Sequence, residues 1–311
     1  MRIEALNDER GIVFHMIHGS FVDGHGVRTT VFLKGCPLRC VWCCNPEGQA
    51  RYVEIKLTSV KCNGCGKCMR ICSTKAILIN GQEESGRVVI DRSLCTNCGE
   101  CIEVCFTGAL EYFGKWMSAE EVFNKVKRDE MFYKLSGGGV TIGGGEPTSQ
   151  PFFTYALLKK CQESGIHTAV DTCGYITNHE GYKVLEEADL LLYDLKGMDS
   201  AEHLRNTGVS NGGILNNLKR LTAMNRPVII RVPIVPGYND SALGIKSMAE
   251  FLSKLKSVER IDLLPYHKYG TVKYGQLGRG YKLNIQPPSR DYISSIKSVF
   301  ECYGLKTQIG G

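Results

Sequence analysis

Three features that would settle this chain's class at once are missing from it. No apolar run approaches the roughly 18 residues that a membrane-crossing helix needs, so no membrane-spanning part is expected. The opening stretch, Met1 to Arg10, has no apolar segment of the kind export signals carry, which argues for a cytoplasmic protein. Lysines and arginines are scattered rather than run together. A formal charge of +6 spread in that way describes a solvated surface, and neither nucleic acid nor a membrane is expected as a partner.

What the chain has in excess is cysteine: 15 of 311 residues, an odd number, with no export signal. Disulfide scaffolds belong to oxidising compartments, so thiolate-bound metal in a reducing one is the better reading. A hydrophobic content of 43% allows a sizeable core.

The cysteines are ordered by a repeat. Cys62-Asn-Gly-Cys65-Gly-Lys-Cys68-Met-Arg-Ile-Cys72 recurs as Cys95-Thr-Asn-Cys98-Gly-Glu-Cys101-Ile-Glu-Val-Cys105, and each copy is followed by a short apolar stretch, Ala76–Ile79 and Ala109–Tyr112. Residues 50–115 therefore read as a small duplicated domain set into a larger one formed by 1–49 and 116–311. Around it, β-branched runs at Thr29–Leu33, Val140–Ile142, His167–Asp171, Leu190–Leu195, Val228–Ile234 and Arg260–Pro265 predict strands. Helical spacing lies between them at Ala119–Leu135, Phe152–Glu163, Tyr182–Glu187, Asn216–Met224 and Ala242–Leu255, the last with Asn239-Asp240 as its expected cap. Such alternation predicts an α/β domain with a parallel sheet. Six units suit either a partial barrel or an open doubly wound sheet, and periodicity does not choose.

The chemistry is written in the loops after the strands. Cys36-Pro-Leu-Arg-Cys40-Val-Trp-Cys43 follows the first of them. Three thiolates can hold three irons of a [4Fe–4S] cube and leave the fourth open, and an open position is what a catalytic metal centre keeps. A zinc knuckle using Cys44 as fourth ligand is the alternative, but adjacent ligands at Cys43 and Cys44 would strain a tetrahedral site. The repeated arrays have the spacing of bacterial two-cluster ferredoxins, in which the last cysteine crosses to the other cluster. Cys62, Cys65, Cys68 and Cys105 would hold one cube, and Cys95, Cys98, Cys101 and Cys72 the other. The proline usual after the last cysteine is replaced by Ser73 and Phe106. Zinc ribbons are the alternative here. Three cubes on eleven thiolates would lower the net charge by about five. The leftover Cys44, Cys161, Cys173 and Cys302 are expected to be small buried apolar residues.

After the second strand, Gly143-Gly-Gly-Glu146-Pro147 lets a backbone come close to a ligand. Asp171-Thr172, Asp194, Lys196, Arg231 and His267 recur at the ends of later strands, the edge where α/β active sites form.

Taken in order, these motifs resemble the radical S-adenosylmethionine proteins and, more narrowly, the glycyl-radical-enzyme activating enzymes. The likeness runs from about Val13 to the C-terminus. It includes Asp23-Gly-His-Gly-Val-Arg28, the three-cysteine loop, Asn45-Pro-Glu47, Gly-Gly-Gly-Glu-Pro, Asp171-Thr-Cys-Gly174 and Asp194-Leu-Lys196, then the run Ile230–Asn239 and Leu264-Pro-Tyr-His267. His25 stands where the family commonly has proline, and Cys44 where it often has histidine.

That resemblance implies a partial (β/α)6 barrel with an inserted α+β ferredoxin-like domain. It implies three [4Fe–4S] clusters, with Cys36, Cys40 and Cys43 holding the catalytic one. Gly144, Gly145 and Glu146 match the motif that meets the methionine amino group of S-adenosylmethionine. Trp42, Asn45, Lys196 and His267 match further cofactor contacts. Asp171, Thr172 and Asp194 match positions that can hold a monovalent cation, and Arg231 lies near them. The implied partner is a glycyl radical enzyme whose glycine loses an α-hydrogen, gripped by the segment Asp23–Arg28 at the mouth of the barrel beside the cluster loop. An external one-electron donor such as flavodoxin or ferredoxin is implied too. A radical enzyme acting on a small molecule or peptide, and an electron carrier without catalysis, are the rival readings.

Overall fold

The computed structural model describes residues 9–79, 86–176 and 178–311; residues 1–8, on which most of the export-signal reading rests, lie outside them. The main strands are β1 (Arg10–Ser20), β2 (Arg28–Leu33), β7 (Lys115–Ser118), β8 (Gly139–Gly144), β9 (His167–Thr172), β10 (Leu190–Asp194), β11 (Val228–Ile234), β12 (Val258–Pro265) and β13 (Thr307–Ile309). Between β2 and β7 lie β3 (Glu54–Leu57), β4 (Ile77–Ile79), β5 (Val88–Ile90) and β6 (Leu110–Phe113) of the insert, with helices α1 (Lys67–Ile71) and α2 (Glu100–Glu103). The outer helices are α3 (Ala119–Val126), α4 (Glu130–Ser136), α5 (Pro151–Glu163), α6 (His179–Glu187), α7 (Ser200–Thr207), α8 (Gly212–Ala223), α9 (Ala242–Leu252), α10 (Thr271–Gln276) and α11 (Arg290–Cys302).

The large sheet runs β13-β12-β11-β10-β9-β8-β2-β1-β7, parallel from β13 to β2 and antiparallel at β1 and β7. The parallel strands follow chain order without reversal. Right-handed crossovers then put every connecting helix on one face, which excludes the doubly wound alternative, since that needs a reversal. Alternate residues confirm the two faces. Val170, Leu191, Tyr193, Val228 and Ile230 pack with Leu157, Val184, Leu218 and Met248 of the helices. Ala169, Leu190, Leu192 and Ile229 form a separate small cluster on the other face. Two residues further along, that second face carries Asp171, Asp194 and Arg231.

The insert is built as the repeat suggests. β3 pairs antiparallel with β6 (Glu54 opposite Phe113, Leu57 opposite Leu110) and β4 with β5. Each short helix starts at a glycine in the left-handed region, Gly66 (φ 68°) and Gly99 (φ 91°). A buried ionic joint ties it to the large sheet's domain. Lys34, at the end of β2, donates to the Glu54 carboxylate (3.0 Å) and to the Glu47 carbonyl, and Arg279 meets the other Glu54 oxygen. Gly114 lets the chain leave the insert: a Cβ there would lie 2.6 Å from Lys34 Cδ.

Two local expectations are corrected. The stretch Ala119–Leu135 is not one helix, because a 3-10 turn at Lys127–Asp129 separates α3 from α4. Asp129 is spent there on the Thr29 hydroxyl and the His18 ring. The cap of α9 is Ser241, whose hydroxyl accepts from Gly244 N at 3.2 Å. Asn239 instead braces the β11 loop, accepting from Val235 N (2.9 Å) and donating to the carbonyls of Pro233 (2.6 Å) and Lys196 (3.1 Å).

Candidate active site

At the C-terminal edge of the parallel strands lies an open cavity of about 1150 Å3. The loop after β2 forms one wall and brings Cys36, Cys40 and Cys43 to it. Backbone bonds hold this loop: Gly35 N to Gly48 O (2.7 Å), Cys36 N to Gln49 O (3.2 Å) and Arg39 N to Thr207 O (2.7 Å). Burial pushes the Cys40 thiol up to about 12 and raises Cys43 as well, so both are protonated thiols until a metal displaces the proton. Cys36 is shifted the other way, because the Cys173 thiol hydrogen-bonds to it.

Opposite the loop stands a charged array from the ends of three neighbouring strands and, in Asp23, the β1–β2 turn. Arg231 Nη1 lies 3.2 Å from Asp171 Oδ2 and 3.5 Å from Asp23 Oδ1, while Lys196 pairs with Asp194. Burial would depress both bases, but their carboxylate neighbours outweigh it and hold both above their ordinary values. Burial pushes Asp171 up to about 7 despite Arg231. By formal count the array carries one net negative charge. Arg231 Nε is buried and has no acceptor among the described residues, so the array ends in an unused donor. An orphaned guanidinium nitrogen in an anionic cavity suits a cationic ligand that also carries a carboxylate.

Other predicted residues fall in different places. Trp42, Asn45, Thr172 and His267 line the cavity. Asn45 accepts from Lys273 Nζ at 2.8 Å, and His267 stacks on Tyr269 with ring centroids 4.4 Å apart. Gly144 and Gly145 line it as backbone. A Cβ on Gly145 would come within 2.6 Å of the carbonyls of Gly35 and Gly48, so glycine here is required by loop-to-loop packing as such. Glu146 is fully buried and is not among the lining residues. Its carboxylate accepts from Thr172 Oγ1 (2.9 Å), Cys173 N (2.7 Å) and Thr148 N (3.1 Å), tying the end of β9 to the loop after β8.

The insert holds two smaller hollows. The first is ringed by Cys62, Cys65, Cys68 and Cys105, the second by Cys72, Cys95, Cys98 and Cys101. Each repeat thus lends its last cysteine to the other's hollow. The lent thiols have matching surroundings: Cys72 Sγ lies 3.6 Å from Thr74 Oγ1, and Cys105 Sγ 3.6 Å from Thr107 Oγ1. Leu57, Val88, Val104 and Leu110 supply apolar walls to the first, and Ile55, Ile77 and Ile90 to the second. Cysteine rings in apolar walls fit iron–sulfur cubes.

The segment Asp23–Arg28 is not at the mouth. β2 runs away from it toward the cluster loop, so it enters at the opposite, N-terminal edge of the sheet. Arg28 is fully buried, with Nε on Thr141 Oγ1 and Nη2 on Val140 O, both 2.6 Å. Asp23 reaches up into the cavity, accepting from Ser20 and Thr30 (both 2.7 Å) beside Arg231. Among the leftover thiols, Cys161 and Cys173 are buried as expected, the latter in the cavity wall; Cys44 is half-buried there, and Cys302 is exposed. Phe32, Tyr266 and Pro233 also line it. Phe32 was legible: it alternates with Thr30 on the inward face of β2.

Comparisons with known proteins agree with this geometry. A model of the radical SAM superfamily matches residues 96–246, and a 4Fe-4S dicluster domain matches 61–109. The first match begins inside the second repeat, because the insert separates β2 and its cysteine loop from the other parallel strands. The trans-4-hydroxy-L-proline dehydratase activating enzyme of Clostridioides difficile is 40% identical over 304 residues, 96% of this chain and 99% of that one. The isethionate sulfite-lyase activating enzyme of Nitratidesulfovibrio vulgaris is 42% identical over 275 residues, covering 86% and 88%. Among solved structures, SuiB of Streptococcus suis with bound S-adenosylmethionine shares the fold at a TM-score of 0.50 and 16% identity, over 63% of this chain and 44% of that one.

Proposed function

Since the chain belongs to the activating enzymes of glycyl radical enzymes, within the radical S-adenosylmethionine superfamily, we propose a residue-level account of how it does this work. It reductively cleaves S-adenosylmethionine, and the 5′-deoxyadenosyl radical so formed takes an α-hydrogen from a glycine of a partner enzyme. In this reading the sheet wraps as a partial (β/α)6 barrel, and residues 50–115 form a ferredoxin-like domain. Cys36, Cys40 and Cys43 hold one [4Fe–4S] cluster with an open iron. The two cysteine rings of the insert hold two more, three in all.

Arg231 Nε supplies a donor for the methionine carboxylate, and Lys196 faces the same charge. Asp171 and Asp194, with the Thr172 hydroxyl, are the oxygen donors for a monovalent cation. Trp42, Asn45 and His267 line the nucleoside side of the cavity. Glu146 acts by holding Thr172 and Cys173 in place, and leaves the amino group of S-adenosylmethionine to the backbone of Gly144 and Gly145. Asp23 forms the cavity floor against which the partner's glycine loop rests. Holding that glycine near the cofactor's sulfonium is the chain's chief catalytic contribution. Fifteen free thiols suit a reducing cytoplasm and an external one-electron donor.

The observation that carries this account is the three-cysteine loop facing an anionic array that ends in an unpaired guanidinium nitrogen. Reconstituted protein, reduced anaerobically and given S-adenosylmethionine, should place an electron-paramagnetic α-glycyl radical on its cognate enzyme. Modification of a small molecule or peptide, with no glycyl radical formed on any candidate partner, would overturn it.

A further inference from the structure

We infer that the insert is the electron inlet of the barrel. Its two hollows act in series, the Cys62/65/68/105 ring outermost, and an acidic one-electron carrier protein docks on the basic face of the first repeat. This rests on the cluster assignments above.

The offset follows from the register of β3. Glu54, at the barrel end, sits in the ionic joint with Lys34 and Arg279; Ile55 lines the second hollow, and Leu57 lines the first. The two hollows are therefore offset by about 7 Å along the strand; Thr58, next to the first, also meets Gln276 of α10 (3.2 Å), so the order rests on the denser ties of the second hollow. Arg92, beside Cys95, adds a second tie at the inner hollow: it donates to Ile55 O (2.6 Å) and to Gln276 O of α10 (3.2 Å).

Helix α10 then spans the gap. Its C-terminal residue Gln276 meets Arg92. At its other end Gly270 is so close to the cluster loop that a Cβ would lie 2.9 Å from Cys44 Cα and 3.1 Å from Cys43 O. Six residues of helix measure about 9 Å. Tyr274 is buried on this helix between the two ends. Electron transfer slows steeply with distance, so a relay needs a fixed gap, whereas a docking arm does not. The joint is fixed: the Lys34 side chain is 0% exposed between Glu54 and Glu47.

Charge sets the entry point. Lys67 and Arg70 of the first repeat are exposed, and their counterparts in the second are Glu100 and Glu103. Lys67 lies 5.0 Å over the ring of Phe106, which rims the outer hollow and is 67% exposed. Lys61 adds to this rim, partly offset by Glu111 at 3.8 Å. Glu100 instead rims the inner hollow and would repel an acidic partner. One electron leaves the carrier, passes outer ring, inner ring and α10, and is consumed in breaking one S–C bond of S-adenosylmethionine.

The test uses full-length protein with all clusters, an acidic photoreduced flavodoxin as donor, and rapid-freeze paramagnetic resonance to follow each cluster. Lys67→Glu with Arg70→Glu should slow reduction by flavodoxin about tenfold and flatten its salt dependence. Glu100→Lys with Glu103→Lys should not slow it, and titanium(III) citrate should reduce all variants alike. Cys62→Ala should delay the barrel cluster's reduction by flavodoxin. Equal flavodoxin rates in both charge-reversed proteins, or a barrel cluster reduced before the outer one, would overturn the inlet. Loss of cleavage in wild-type protein with titanium(III) would instead count against the enzyme reading itself.

Discussion

The large sheet and the insert arrange their cysteines in opposite ways. In the barrel, three cysteines from one eight-residue loop face a wide cavity whose far wall is Asp23, Asp171, Asp194, Lys196 and Arg231. In the insert, four cysteines drawn from two repeats close on each small hollow, and the remaining walls are largely apolar. Burial pushes Cys101 in the insert up to about 12, the same direction and size as Cys40 in the barrel. The thiols themselves thus do not separate the two regions; the fourth ligand does. A complete ring needs only shielding, whereas an incomplete one needs an array that recognises what fills the gap.

The largest effect should come from removing the open site. Cys36, Cys40 and Cys43 changed together to Ala should lose about a third of the iron and lower S-adenosylmethionine cleavage below detection, while Cys98→Ala keeps cleavage with a chemical reductant. Iron analysis and product chromatography check both. Next comes the recognising array. Arg231→Lys keeps the charge but loses the unused Nε donor, and should weaken S-adenosylmethionine binding about tenfold or more by calorimetry. A matching loss in an insert variant would erase the contrast between the regions.

The joint between the regions should matter to stability rather than chemistry. Lys34→Met leaves Glu54 buried with Arg279 alone, and should cost about 3 kcal/mol in denaturant unfolding. The smallest effect is a pH dependence confined to the barrel. The folded carboxyl of Asp171 is raised to about 7, so the native state holds a proton that the unfolded chain releases near 4. Its contribution to stability therefore falls as pH rises from about 4 to about 7 and is flat above. Asp171→Asn lacks this titration, so the variant should gain on wild type between pH 5 and pH 7, by about 2 kcal/mol at most, in parallel melting curves.

Much of this contrast is legible in the sequence. The six central strands start and end within two residues of the β-branched runs, because buried parallel strands must be continuously apolar. The exchange of Cys72 and Cys105 follows from spacing, since a helix of four or five residues carries the last cysteine past its own ring. Less legible were groups defined by direction rather than type. Glu146 sits in a suggestive motif, yet three donors turn it into the protein. The segment Asp23–Arg28 enters at the edge opposite the cluster loop, yet Asp23 still reaches the cavity beside Arg231, which sequence order does not show. The ionic joint joins Lys34, Glu54 and Arg279 across 245 residues, a pairing no local pattern announces. Strand β1 was missed because neither of its faces is consistently buried, so its alternation is weak.

The central claim is that only one of the three cysteine sites is open. Adding S-adenosylmethionine to the reduced, fully loaded protein and recording its paramagnetic resonance tests this directly. One cluster signal should shift, and the shifted signal should be the one missing from the Cys36, Cys40 and Cys43 variant. A shift in a signal that depends on Cys65 or Cys98, or no shift in any signal, would contradict the account.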